Sequence, residues 1–490
     1  MKKPLILRCI ALLISLCTLI PLTVACSWND GPVVESSNVS TDAGDSGYVF
    51  PEGVNFNERK YTILNCDPYQ WGQICLVTSH ELLGVAINDA IYKRTLWLEE
   101  TLNCTLEEKS VPIGNVQKEL DIVIDSGENS YAAAYMQAKY IAAEMMSNRL
   151  TQLDYVDSIK LEESYWNQEL LKATSINNRH YTAASDAHLQ HFEGLWAVFF
   201  NTKKLANSGI DYPYDLVRNH EWTWEKFLTM TRQLASLNGD ETWDFSVQGR
   251  SQYGFSTHWV GISMLLFGVD AQFGQKDQFD MPVLTVENSH FMDRAQMVAE
   301  FCSEPGTFHY ATPDNTKKDE EIHGLFLNGR VAMAGMQMHA MLKCVQGDVE
   351  FGVVPFPLYD ENQENYKVSS SVTASYLCIP YGYAYTEDIG LIMDAMSYEA
   401  DRTLVKVYYE DHLEFKSNNG EVLDNIEMLN FFRENRSNDI VVASGLDSTL
   451  HTNICYAIRD GGGELTSTYK TNASATEIKF KKLRIFFGVQ

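Results

Sequence analysis

The chain of 490 residues carries 38 basic against 65 acidic side chains, a formal charge of −27. So negative a surface argues against nucleic acid as a partner and against an electrostatic hold on anionic lipid. It leaves a neutral ligand open, and an aromatic content of 12% suits a ring-lined cleft as well as a large ordinary core.

At the N-terminus, Lys2, Lys3 and Arg8 precede an apolar run from Ile10 to Leu22. That run is shorter than the roughly 20 apolar residues a spanning helix needs and has the length of a secretory signal. It closes in Leu22-Thr23-Val24-Ala25-Cys26, which resembles a lipobox with Thr23 where leucine is more usual. The expectation is a signal peptide over residues 1–25 and a lipid on Cys26, with ordinary cleavage nearby as the alternative. Loss of the three positive charges takes the mature chain from −27 to −30. Residues 26–57 are rich in Ser, Gly, Asp and Asn, without apolar period, and are expected to form a flexible tether. No later stretch reads as a transmembrane helix.

About 430 residues remain, comfortable for two lobes. Of ten cysteines, Cys9 and Cys17 leave with the signal and Cys26 takes the lipid. Cys66, Cys75, Cys104, Cys302, Cys344, Cys378 and Cys455 are left, an odd number without close pairing that does not read as a disulfide framework.

The run from Tyr61 to Cys66 predicts a strand, followed by a polar aromatic loop, Asp67-Pro68-Tyr69-Gln70-Trp71. Ile87, Ile91, Leu98 and Leu102 recur on one helical face. Residues 119–125, Glu-Leu-Asp-Ile-Val-Ile-Asp, read as a second strand, so the chain opens β-loop-α-β, the start of an α/β lobe with a mostly parallel sheet flanked by helices. Ligands of such sheets bind beyond the carboxyl ends of the strands, where Asp67 to Trp71 fall. Further on, Thr223 reads as the N-cap of a helix whose face carries Phe227, Met230 and Leu234, with Glu225 at its positive end. Residues 350–355 look β-like, and amphipathic helices are expected at roughly 387–411 and 422–435.

Four stretches then resemble one family, the extracellular solute-binding proteins of ABC importers that include maltose-binding protein. They are Arg94-Thr-Leu-Trp-Leu-Glu-Glu-Thr-Leu-Asn-Cys104; Tyr181 to Asp186 with Leu195-Trp-Ala-Val-Phe-Phe-Asn201; Trp222-Thr-Trp-Glu225 after Pro213-Tyr-Asp; and Phe326-Leu-Asn-Gly-Arg-Val-Ala-Met333 with Gly352-Val-Val-Pro355. They span roughly residues 58 to 435. The resemblance implies a two-lobed periplasmic-binding-protein-like α/β fold with a hinge of crossing strands and a solute cleft between the lobes. The expected first lobe takes residues 58–185 with about 345–400, and the second 186–344 with about 401–490. The implied function is capture of an extracellular solute, a sugar or oligosaccharide, and delivery to a membrane permease.

A sugar offers apolar ring faces and a belt of hydroxyls, so its site needs aromatic plates and planar polar groups. The candidates are Trp71 and Asp67 after the first strand, Trp259 in the second lobe, and Asp186 and Trp196 flanking the first crossover. After Met333 the family supplies a stacking aromatic; here either His339 or Met336 fills that role, or the ligand is not stacked at this point. Against each contact role stands a plainer one: a core-capping Trp71, a turn-forming Asp67 before Pro68. Trp222 and Trp224 read as packing residues.

Enzymatic readings find little support. His188-x-x-His191 can place two imidazoles on one helical face with Glu193 nearby, but no third ligand stands at a recognisable spacing. His-Glu-x-x-His, Cys-x-x-Cys and Gly-x-Ser-x-Gly are absent from the sequence. Neither metal nor organic cofactor is expected, and the membrane is reached through the lipid alone. The alternatives of other classes are a surface glycosidase, with two carboxylates across a cleft, and an adhesion lipoprotein without a closing cleft.

Overall fold

A computed structural model describes residues 47–67, 75–244, 249–311, 318–347, 349–413, 421–446 and 448–489. The expected signal peptide, Cys26 and most of the expected tether lie outside them, as does Trp71. The strands, in chain order, are β1 (Arg59–Cys66), β2 (Cys104–Val111), β3 (Ala133–Gln137), β4 (Trp196–Asn201), β5 (Tyr253–Thr257), β6 (Gly274–Lys276), β7 (Pro282–Leu284), β8 (Phe308–Tyr310), β9 (Val331–Gln337), β10 (Phe351–Val354) and β11 (Ser375–Cys378).

They build two main sheets. The first has the order β11-β3-β1-β2, with β1 parallel to β2 and β3, and β11 antiparallel to β3. The second has the order β10-β4-β9-β5-β8; β5 runs parallel to β8 and β9, and β4 runs against both β9 and β10. β6 and β7 form a separate hairpin. Helices flank both sheets, which gives two α/β lobes. Among the described residues no helix is long and apolar enough to cross a membrane.

The expected amphipathic helix spans Ala86–Leu102, burying Ile87, Ile91, Leu98 and Leu102 on one face. Asn103 ends it at φ 50°, a left-handed position that asparagine tolerates. The helix at Trp224–Leu234 follows Thr223 as expected and buries Phe227, Met230 and Leu234, but the Thr223 hydroxyl makes no capping hydrogen bond. Helices also stand at Thr386–Leu413 and Glu421–Glu434.

Three expectations need correction. Residues 119–125 are not a strand: Val116–Ser126 is a helix that buries Val116, Leu120 and Val123 at helical spacing and stops at Gly127, φ 73°. The second strand is instead β2, Cys-Thr-Leu-Glu-Glu-Lys-Ser-Val, whose charge reflects its place at the sheet edge. The tether does not extend to residue 57: the Phe50 ring lies 5.4 Å from Trp97, Phe56 is buried beside Tyr61, and the Phe56 amide donates to the Leu102 carbonyl. Two large rings regain in apolar contact what ordering the segment costs. The second lobe does not end near 345 either, because β10 pairs with β4 and moves the return crossing beyond Val354.

The chain passes between the sheets through paired extended segments. Ala183 exchanges backbone hydrogen bonds with Leu377, Leu195 bridges Ser370, and Val368 bridges Arg436. This seam carries the polar residues described next.

Candidate functional site

In a mostly parallel sheet the strand carboxyl ends face one side, and there each sheet meets the seam. On the second sheet, β4 runs opposite to its neighbours. Its first residue, Trp196, therefore stands in register with Gln337, the last residue of β9. The Trp196 ring meets His258 edge-on at 5.0 Å, just past the end of β5. Trp259 opens the next helix, Trp259–Gly268, half-buried with its ring 5.6 Å from His451. Met336 is buried on β9, and His339 precedes the helix Ala340–Gln346 with its amide donating to the Glu193 carbonyl. Four residues expected from sequence, Trp196, Trp259, Met336 and His339, thus share one edge of the second sheet.

On the first sheet the facing edge is polar. β1 ends in Asn65 and Cys66, with the half-buried Asp67 following, its amide bonded to the Val111 carbonyl. β3 ends in Gln137, paired with Ser375 of β11. The Ser375 amide donates to Gln190 Oε1 on the crossing segment. All three are buried, yet Gln137 Oε1, Gln190 Nε2 and Ser375 Oγ have no hydrogen-bond partner, nor has Trp196 Nε1 across the seam. Buried polar atoms without protein partners are costly, so these groups are available to hydrogen-bond a ligand or solvent at the seam. The sequence offered no cue to Gln137 or Gln190, since neither joins a motif.

Asp186 lies at the seam but is already engaged. Its carboxylate is ion-paired with Arg433, which also bonds Asp401 at 2.9 Å. Burial alone would raise its pKa, and the charges of Arg433 and Arg436 outweigh that and hold it below the usual carboxylate range. The two imidazoles of His188-x-x-His191 do not converge on one ion. His191 accepts from Arg436 at 2.9 Å and faces the His188 carbonyl with Nδ1; burial lowers its pKa to about 3 and keeps it neutral. Glu193 accepts from Tyr408 at 3.0 Å, and burial raises its carboxyl to about 8.

His188 instead stacks on Tyr135, ring centroids 4.2 Å apart, and turns toward the end of β1. Its Nε2 meets Asn65 Oδ1 at 3.1 Å. The Asn65 amide donates to the Cys75 carbonyl at 2.6 Å and to Glu108 at 2.9 Å, so Oδ1 is the acceptor and His188 carries its proton on Nε2. Cys66, Cys75 and His188 bring two sulfurs and a ring nitrogen within 4.8 Å of one another, all buried. All seven described cysteines are free thiols, as the absence of a disulfide framework in the sequence implies, and folding brings Cys66 and Cys75 together. Arg94, buried beneath, bonds the Val77 carbonyl at 2.7 Å and the Ala187 carbonyl at 3.3 Å, tying the loop after β1 to the crossing segment.

No protein-family model matches the sequence, and no curated protein matches it. Solved structures do. An ABC substrate-binding protein of Listeria monocytogenes in complex with cycloalternan superposes with a TM-score of 0.56 at 11% identity, over 88% of this chain and all of that one. The cyclic α-maltosyl-1,6-maltose binding protein of Arthrobacter globiformis gives 0.56 at 11%, over 87% and 98%. UgpB of Mycobacterium tuberculosis with glycerophosphocholine gives 0.52 at 13%, over 86% and 98%. At this identity the likeness establishes the two-lobed α/β fold.

Proposed function

We propose that this protein is the capture component of an ABC importer, binding a neutral sugar or oligosaccharide between its lobes and presenting it to a membrane permease. The observation that carries the reading is the seam itself, with buried polar atoms of Gln137, Gln190 and Ser375 that have no protein partner on the first sheet's side and Trp196 and Trp259 on the edge of the second. Carboxamides and a hydroxyl match sugar hydroxyls as donors and acceptors, and indole faces match the apolar ring faces. The like-folded proteins that hold cycloalternan and cyclic maltosyl-maltose support a carbohydrate over other neutral solutes.

In this reading the first lobe contributes Asp67 and Trp71, the second Trp259, Trp196, Met336 and His339. Asp186 holds the crossing segment in place through Arg433 and meets the solute only at its edge. Solute touching both lobes favours the shut arrangement over the open one, a population shift that the permease reads. A lipid on Cys26 would keep the protein at the outer face of the membrane.

A thermal-shift and calorimetry screen against neutral α- and β-linked oligosaccharides tests it. A ligand at a hundredfold its dissociation constant adds about 2.7 kcal/mol of stability. No response to any neutral sugar, with a response to an anionic or peptidic solute, overturns the carbohydrate assignment. Turnover of a glycoside would favour the hydrolase alternative.

A further inference from the structure

The trio at the end of β1 belongs to no part of the solute site. We infer that Cys66, Cys75 and His188 form a binding site for a thiophilic d10 cation of the zinc class. The argument is geometric. Their ligand atoms lie within 4.8 Å of one another, where tetrahedral bonds to zinc need sulfurs about 3.7 Å apart, so a shift of under about 1 Å assembles the site.

The imidazole is also prepared for it. With its proton on Nε2 held by Asn65 Oδ1, His188 presents the bare Nδ1 lone pair, which is buried and has no hydrogen-bond partner within hydrogen-bonding geometry. A ring nitrogen donated to an oxygen on one side and free on the other is the usual posture of a metal-bound histidine. Asn65 is itself fixed by the Cys66 amide, the Cys75 carbonyl and Glu108, and Glu108 by the Val77 and Thr78 amides. The second layer of a metal centre is therefore in place.

Charge favours the same conclusion. Two thiolates cancel a divalent ion, so the loaded centre is neutral and avoids the cost of a net buried charge. Binding releases the thiol protons to solvent and forms two metal–sulfur bonds and one metal–nitrogen bond, with no redox change. The ion would clamp the end of β1 to the segment that crosses between the lobes, independently of any solute.

The test uses the full chain purified in reductant and titrated with Co2+. The expected result is one ion per chain with thiolate-to-cobalt charge-transfer absorption, displaced by Zn2+. The band is lost in Cys66→Ser and Cys75→Ser, weakened at least tenfold in His188→Gln, and retained in Cys344→Ser. Absence of the band, or its survival in Cys66→Ser, overturns the assignment. X-ray absorption at the zinc edge needs no variant: two sulfurs at about 2.3 Å and a nitrogen at about 2.0 Å support the site, whereas a shell of oxygen and nitrogen alone rejects it. A Cys66–Cys75 disulfide that forms equally fast with and without zinc, on adding oxidised glutathione, also rejects it.

Discussion

The two sheets meet the seam with different chemistry. The first brings carboxamides to it, Gln137 at the end of β3 and Gln190 on the crossing segment, while the second brings rings, Trp196 at the start of β4 with His258 and Trp259 after β5, beside Gln337 at the end of β9. Each sheet has one reversed strand, and its starting residue rather than its last one reaches this edge: Ser375 of β11 beside Gln137 in the first sheet, and Trp196 of β4 beside Gln337 in the second. Rings supply broad, stiff contact at low entropy cost, and carboxamides supply direction. Under the proposed function one lobe would hold a sugar face and the other read its hydroxyls, so tight binding would require both.

The strongest break cuts what both lobes share. Arg433→Met leaves Asp186 buried without its cation and is expected to cost about 3–5 kcal/mol of stability, read by urea unfolding. Next comes pH. The buried Glu193 carboxyl titrates near 8 in the folded chain against 4.5 as the ordinary value. The folded state therefore keeps a proton that the unfolded state has released. Its stabilisation is complete below about pH 4.5, is lost as pH rises toward 8, and is level beyond. Glu193→Gln keeps the acceptor for Tyr408 and should flatten that decline by a few kcal/mol in unfolding curves taken at pH 5 and pH 8.

Within the site, Trp259→Ala is expected to weaken sugar binding about 30-fold, near 2 kcal/mol, with the fold retained. Gln137→Ala should weaken it by less, about fivefold, or 1 kcal/mol. Calorimetry on both variants ranks the two lobes, and equal losses would erase the contrast drawn between them. The smallest effect is expected at Lys276, whose ammonium on the β6 end bonds the carbonyls of Lys172 and Ser175 in the other lobe and pairs with Asp280. Lys276→Met should cost under about 1 kcal/mol, seen as a small drop in melting temperature.

Much of this was readable residue by residue. The stripe Ile87, Ile91, Leu98 and Leu102, the run Tyr61 to Cys66 and the stretch before Pro355 each announce their element, because a helix or strand face is a short-range period. The second strand failed for the same reason in reverse. Ile122, Val123 and Ile124 look like β, yet Leu120 and Val123 share a helical face that packs inward while Ile122 stays exposed. The true strand, on an edge, needs little apolar content.

Sequence alone determined the charge that argues against nucleic acid and the local elements whose side chains repeat at 3.6 or 2 residues, and it raised the expectation of an N-terminal anchor. Only the tertiary structure decided what the seam does. Asp186 meets Arg433 across 247 positions, and His188 meets Asn65 across 123. Such pairings depend on how two sheets are stacked and crossed, and no spacing along the chain encodes a distance that folding creates.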